Sequence, residues 1–227
     1  MSIEAGTRSN AVFDRLRADV LAGRLAPGSK LKLAVLGARY EASLSVVREA
    51  LSRLAEQGLV VPHPQRGFSV FALSPEDLTD LTGTRIDLET LAARRSVERG
   101  DLAWETALVG AHHTLAGTPA ATAGGDVNDD WITVHRAFHH ALIAGCGSPR
   151  LQGLAQGLRD AAELYRIWST SLTRDTKRDI AAEHSELLAL AIARDADGLA
   201  TALAAHIQRT TDILLRYAER NLAPERD

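Results

Sequence analysis

Between residues 42 and 70 the apolar positions change period, and the change marks a helix followed by two strands. Val47, Ala50, Leu51 and Leu54 recur at intervals of three and four, forming one stripe on a helix, while Ser45, Arg48 and Ser52 fall on the opposite face. One side can pack and the other is free to bind. Ser43 is placed to cap this helix and Gly58 to end it. Leu59-Val60-Val61 and Phe68-Ser69-Val70 then suit two short strands, joined by a turn over residues 62–67 that carries the cation Arg66. Upstream, Phe13, Leu16 and Val20 share one side of a helix that starts near Ser9 and stops at Gly23. A turn over residues 24–28 and a short helix from Ala34 to Tyr40 follow. Three helices and a β-wing in this order make a winged helix-turn-helix, whose third helix and wing are built to enter DNA grooves.

The pattern is different after residue 73. Ser74-Pro75-Glu76-Asp77 combines a capping serine, a proline at the first helical position and acids in the first turn, so the domain boundary is placed there, giving domains 1–73 and 74–227. From this point only helical periodicity appears. It is broken at Gly100-Asp101, over residues 116–126 and 145–149, near 172–175, and over 194–198. Those breaks leave six helices and no strand, so the chain is expected to be mainly α, a winged helix-turn-helix followed by an antiparallel bundle. Residues 116–126, AGTPAATAGGD, read as a flexible surface loop.

Charge sharpens this division. The whole chain carries a formal net charge of −3, but residues 1–73 hold ten Lys and Arg against six Asp and Glu, and the rest holds sixteen against twenty-three. The front is therefore basic and can make counterion-releasing phosphate contacts, while the acidic remainder does not attract DNA. A single cysteine, Cys146, cannot form an intrachain disulfide, and a reducing cytoplasm is the expected home. No apolar run approaches a membrane span, and the start, MSIEAGTRSN, lacks a signal-peptide core.

Four of the eight histidines have spacings that geometry can use. His135 and His139 are one helical turn apart on a helix whose inward stripe includes Trp131, Phe138 and Leu142. His184 and His206 lie eleven residues on either side of Asp195, the centre of a turn, so in an antiparallel hairpin they sit at the same height. Imidazoles aimed into a bundle must have their ring nitrogens satisfied, and a divalent metal does so directly; separate core histidines bonded to backbone or water are the alternative. His63, His112, His113 and His140 lack this geometry and are expected on the wing or surface. Arg85 completes a stripe with Leu78, Leu81, Leu88 and Ala92, and a cation on an inward face needs an anion. That anion is either a ligand or a helix-borne acid, unless the side chain snorkels outward. Tyr165, in line with Leu151 and Leu158, is expected either to line the same pocket or to pack in the core.

Three blocks of the first seventy residues carry a family resemblance. Gly23-Arg24-Leu25-Ala26-Pro27-Gly28, then Val47-Arg48-Glu49-Ala50-Leu51 with Leu54 and Glu56-Gln57-Gly58-Leu59-Val60, then Arg66-Gly67-Phe68-Ser69-Val70, resemble the GntR family of bacterial transcription regulators. The resemblance implies a homodimer on a palindromic double-stranded operator, with Ser43, Ser45 and Arg48 at phosphates or base edges and Arg66 and Gly67 at the minor groove. The chemistry agrees, since Arg offers a fork to guanine or phosphate and Gly lets the backbone come close. Leu44 departs from the arginine common there, and it either meets a thymine methyl group or packs on the neighbouring helix.

The helical part resembles the all-helical effector domain, FCD-like, of the family's FadR-type branch. Residues 131–139 ending in Phe138-His139, then Glu183-His184 and Ala205-His206, match its metal-ligand blocks. His135 stands where an aspartate is usual, and this nitrogen-rich set favours zinc or nickel over manganese. Whether His135 itself ligates is open, since three histidines and a water would also serve. The resemblance also implies that Arg85 receives the carboxylate of a small organic acid whose other oxygens reach the metal. The expected function is therefore an effector-controlled transcription regulator, with repression as the expected sense and no enzymatic activity. Two alternatives are a regulator for which the metal itself is the signal, and a metal-dependent hydrolase or oxygenase tethered to DNA. Against the enzyme, no carboxylate is placed one turn from the ligands as a general base, because Glu183 adjoins His184 but is expected to point a different way.

Overall fold

The computed structural model describes residues 3–124, 127–171 and 178–221. Contacts divide the chain into two compact units, 1–74 and 75–227.

The first unit contains α1 (Ile3–Leu21), β1 (Lys30–Leu31), α2 (Leu33–Tyr40), α3 (Leu44–Glu56), β2 (Val60–His63) and β3 (Gly67–Val70). α3 forms where the stripe requires it, with Val47, Ala50, Leu51 and Leu54 fully buried, each large aliphatic contributing about 1.5–3 kcal/mol. The Ser43 hydroxyl accepts from the Val46 N–H at 3.4 Å, and Gly58 takes a left-handed φ of 72° just past the helix. α1 begins six residues before the expected start at Ser9. The wing also differs from expectation. β3 is the centre of a three-stranded antiparallel sheet, paired on one side with β2 and on the other with β1, a strand too short to show a period. Pairing runs to His63 opposite Gly67, so the turn is only residues 64–66. Pro62 lies within β2, which tolerates it because β2 is an edge strand.

The second unit is a bundle of α4 (Pro75–Arg99), α5 (Leu102–Ala116), α6 (Asp129–Ala144), α7 (Pro149–Ser171), α8 (Ile180–Ile192) and α9 (Ala196–Asn221). α4 packs along α7 and α9, and α5 along α6 and α8. Phe138, Leu142, Ile143, Leu187, Leu199 and Leu203 lie at the centre of the core. Gly100 ends α4 where a Cβ would collide with the Trp104 ring and the Ser96 carbonyl. In the expected loop, Ala121 bridges to Val127, and the Asn128 side chain donates to the Pro119 carbonyl at 2.7 Å. The expected break near residues 172–175 lies outside the described residues.

The inward stripes of two helices keep Leu78, Ala92, Leu151 and Tyr165 buried as read in the sequence, but are broader and include polar residues at neighbouring positions. On α4, Thr82 and Glu89 are buried where Leu81 and Leu88 were expected, and on α7 Arg159 is buried where Leu158 was. A helix packed between several neighbours buries a broad arc, and polar groups enter it once partners bond them.

Candidate metal centre and nucleic-acid interface

α6 presents His135 and His139 one turn apart, α8 presents His184, and α9 presents His206. One ligand nitrogen from each lies within 4.8 Å of every other, and all four residues are buried. The ring centroids of His135 and His139 are 4.5 Å apart, and those of His184 and His206 are 5.0 Å apart. The α8–α9 turn makes the second pair possible. Arg194 takes a left-handed φ of 59° there, and the Asp195 carboxylate accepts from the Gly198 N–H, closing an antiparallel hairpin.

Burial is the first cause that holds His135, His184 and His206 below the usual imidazole range, with His184 lowered to about 2. The rings are therefore neutral near pH 7, the state in which imidazole ligates a metal. His135 Nδ1, His184 Nε2 and both ring nitrogens of His139 are buried without a hydrogen-bond partner. Such orphans cost about 1–3 kcal/mol each, and a divalent ion at their centre would remove most of that cost. The donor set thus fits a metal, and its all-imidazole chemistry suits zinc or nickel.

Glu183 does not line the cavity beside the cluster, but it has a partner the sequence did not show: its carboxylate accepts from His206 Nδ1 at 2.7 Å. Two arginines hold the same carboxylate, Arg178 at 2.7 Å and Arg209 at 2.9 Å. Burial alone would raise the Glu183 pKa, but these bonds outweigh it and hold the group well below the usual carboxylate range. An ionised acceptor on Nδ1 places the proton there and leaves the Nε2 lone pair for the cluster. As a carboxylate occupied by three donors, Glu183 does not serve as a general base.

Arg85 lies beside the cluster with an acid partner supplied by the fold. Its Nε donates to Glu89 Oε1 at 2.9 Å, one turn along its own helix, which is the helix-borne acid that the sequence left as an alternative. Arg159 donates to the other oxygen of the same carboxylate. Arg85, Arg159 and Arg166 line a cavity of about 20 Å³ together with His135, His139 and His206. Arg166 pairs with Glu163 at 2.7 Å and lies 5.0 Å over the Trp131 ring. Tyr165 does not line this cavity. It is buried, and its hydroxyl donates to Asp77 at 2.9 Å, because its position on α7 turns the ring toward the start of α4. Arg159 and Glu89 were missed in the sequence. The signal existed, since Arg159 continues Leu151 and Ala155 at intervals of four.

On the other unit, Ser45 and Arg48 lie exposed on α3, with the Ser43 and Ser45 hydroxyls 2.9 Å apart. Leu44 is 55% exposed, which leaves it available to a groove rather than lost in the core. Arg66 is exposed at the wing tip beside Gly67, whose φ of 86° only glycine adopts easily. Among the described residues, neither Arg48 nor Arg66 has an ion-pair partner.

A family model described as the FCD domain matches residues 80–209, and one described as bacterial regulatory proteins, gntR family, matches residues 8–70. The chain belongs to the GntR family. Relatives include the HTH-type transcriptional regulator BphR of Paraburkholderia xenovorans, 39% identical over 91% of this chain and 85% of that protein. The HTH-type transcriptional repressor GlaR of Escherichia coli is 34% identical over 79% of this chain and 83% of its own length. Solved GntR structures from Rhodococcus (TM-score 0.59, 23% identity, 92% of this chain and 98% of that one) and Pseudomonas syringae (0.55, 24%, 96% and 89%) share the fold. This GntR protein is a DNA-binding transcription regulator with an FCD domain, and not an enzyme. None of its described helices is long and apolar enough to cross a membrane.

Proposed function

We propose that this GntR regulator is a repressor whose operator binding is controlled by a small organic acid bound beside a zinc or nickel ion in the FCD domain. The carrying observation is the convergence of four buried imidazoles on one point, bordered by a cavity lined by three arginines. His135, His139, His184 and His206 would hold the ion. When bound, the metal supplies a Lewis-acidic position for an oxygen ligand. The arginines attract the acid, and Glu183 fixes the His206 ring.

On the DNA side, Ser43, Ser45 and Arg48 contact phosphates or base edges, Leu44 meets an apolar base edge, and Arg66 with Gly67 enters the minor groove. One recognition helix per chain fits a homodimer on a palindromic operator, acting on the chromosome in the cytoplasm. The effector shifts operator affinity only as far as it binds the two states differently.

A second reading makes the metal alone the signal, and the size of the cavity favours it, since 20 Å³ holds about one water. Elemental analysis of purified protein, followed by a thermal-shift screen of small carboxylic acids and an operator titration with and without each hit, tests both. Stoichiometric metal and an acid that weakens operator binding support the first reading. Metal that controls operator binding with no responsive acid supports the second, and protein that neither contains nor is stabilised by zinc or nickel overturns both.

A further inference from the structure

Among the described residues of the first unit, two large apolar side chains stand exposed, Val35 at 59% and Leu44 at 55%. Val35 lies in the first turn of α2, and Leu44 opens α3. The two belong to one surface. A Cβ at Gly37 would lie 3.5 Å from Leu44 Cδ2, so Leu44 leans on α2 at Gly37. At about 100° per residue, Ala34 and Ala38 occupy the arc of α2 between Gly37 and Val35, and both are exposed. Leu44, Ala34, Ala38 and Val35 therefore form a continuous apolar strip across the two helices.

The strip adjoins the DNA-binding face. Leu44 and Arg48 are one turn apart on α3, so whatever groove receives Arg48 also receives Leu44. Single exposed aliphatics are ordinary, but apolar residues grouped side by side on a helix pair that meets DNA make a contact surface. The base edges of the major groove present one apolar group that tells base pairs apart, the C5-methyl of thymine. Leucine and valine donate and accept no hydrogen bonds, so opposite guanine they would strip water from N7 and O6 and leave both acceptors unpaired.

Resting on the DNA-binding reading above, in which Leu44 meets an apolar base edge, we propose that Val35 and Leu44 act as a pair that reads thymine methyl groups, one methyl each. The operator half-site then carries thymine, and not guanine, at both positions. Val35 becomes a specificity-determining residue, and α2 takes part in reading the sequence as well as supporting α3.

The test begins with full-length protein selecting duplexes from a randomised double-stranded DNA library. Each thymine of the selected half-site is then replaced, in both half-sites, by deoxyuridine, which keeps the hydrogen-bonding edge and loses only the methyl group. Gel-shift titration at fixed salt should reveal two thymines whose replacement weakens binding about 15-fold, roughly fourfold for each methyl lost. Leu44→Ala should abolish the effect at one of them and Val35→Ala at the other. Both side chains are exposed, so both variants should keep the wild-type melting temperature. Selected half-sites without a methyl-sensitive thymine, or a sensitivity that persists in both variants, overturn the methyl reading and leave sequence-specific DNA binding intact. Protein that enriches no sequence from the library overturns both.

Discussion

The Nδ1 of His206 lies 2.7 Å from Oε2 of Glu183, so a carboxylate adjacent in sequence to one cluster histidine orients a different one across the helical hairpin. Glu183→Gln removes the charge that fixes the His206 tautomer. Zinc affinity, measured by competition with a chromogenic chelator, should fall by about 10–100-fold. Circular dichroism should show the helix content retained, and the visible spectrum of the cobalt-loaded variant should shift. Unchanged affinity with an unchanged spectrum would show that the ring needs no such support.

Removal of metal should destabilise the FCD domain directly. His139 has both ring nitrogens buried without partners, and His184 has Nε2 in the same condition. Chelator treatment should lower the melting temperature, with recovery on adding zinc or nickel. His139→Ala and His184→Ala should each lower metal content and melting temperature together. Melting curves indifferent to chelator would sink the proposed centre.

Arg48 stands exposed on α3 with no ion-pair partner among the described residues. Arg48→Ala should therefore cost the fold nothing, but weaken specific operator binding by about 1–3 kcal/mol, roughly 5- to 150-fold at fixed salt. A gel-shift titration with the wild-type affinity would remove Arg48 from the interface.

Asp19 ties the first unit together through the Tyr40 hydroxyl at 2.5 Å, Arg24 at 2.6 Å and Arg39 at 2.6 Å. Burial raises its pKa, but the bonds from Tyr40 and Arg24 and the charge of Arg39 outweigh that, so the folded value is lowered. Its stabilisation is then complete above the unfolded value of about 3.9 and is lost as pH falls through the lower folded value. Asp19→Asn should cost about 2 kcal/mol near pH 7. Most of that comes from Tyr40, because Arg24 and Arg39 are 42% and 44% exposed and weakly bound. Paired denaturant melts should converge as the pH falls from the unfolded value through the lower folded one, and a constant difference would contradict the linkage.

The sequence by itself determined whatever depends on position around or along one element. The Ser43 cap, the α3 stripe, the His135–His139 turn and the equal distances of His184 and His206 from Asp195 are local quantities, set by 3.6 residues per turn and 1.5 Å per residue. Tertiary structure decided which groups meet. The β1 strand exists only because β3 lies beside it, and two residues carry no period. Glu183 reaches His206, and Glu89, already held by Arg85, meets Arg159 across 70 positions, because neighbouring helices bring those donors to carboxylates that would otherwise be too costly to bury. The same partners let Thr82, Glu89 and Arg159 enter arcs that the sequence showed only as apolar stripes. Spacing gives a side chain its direction, but the crossing of distant helices gives it a partner.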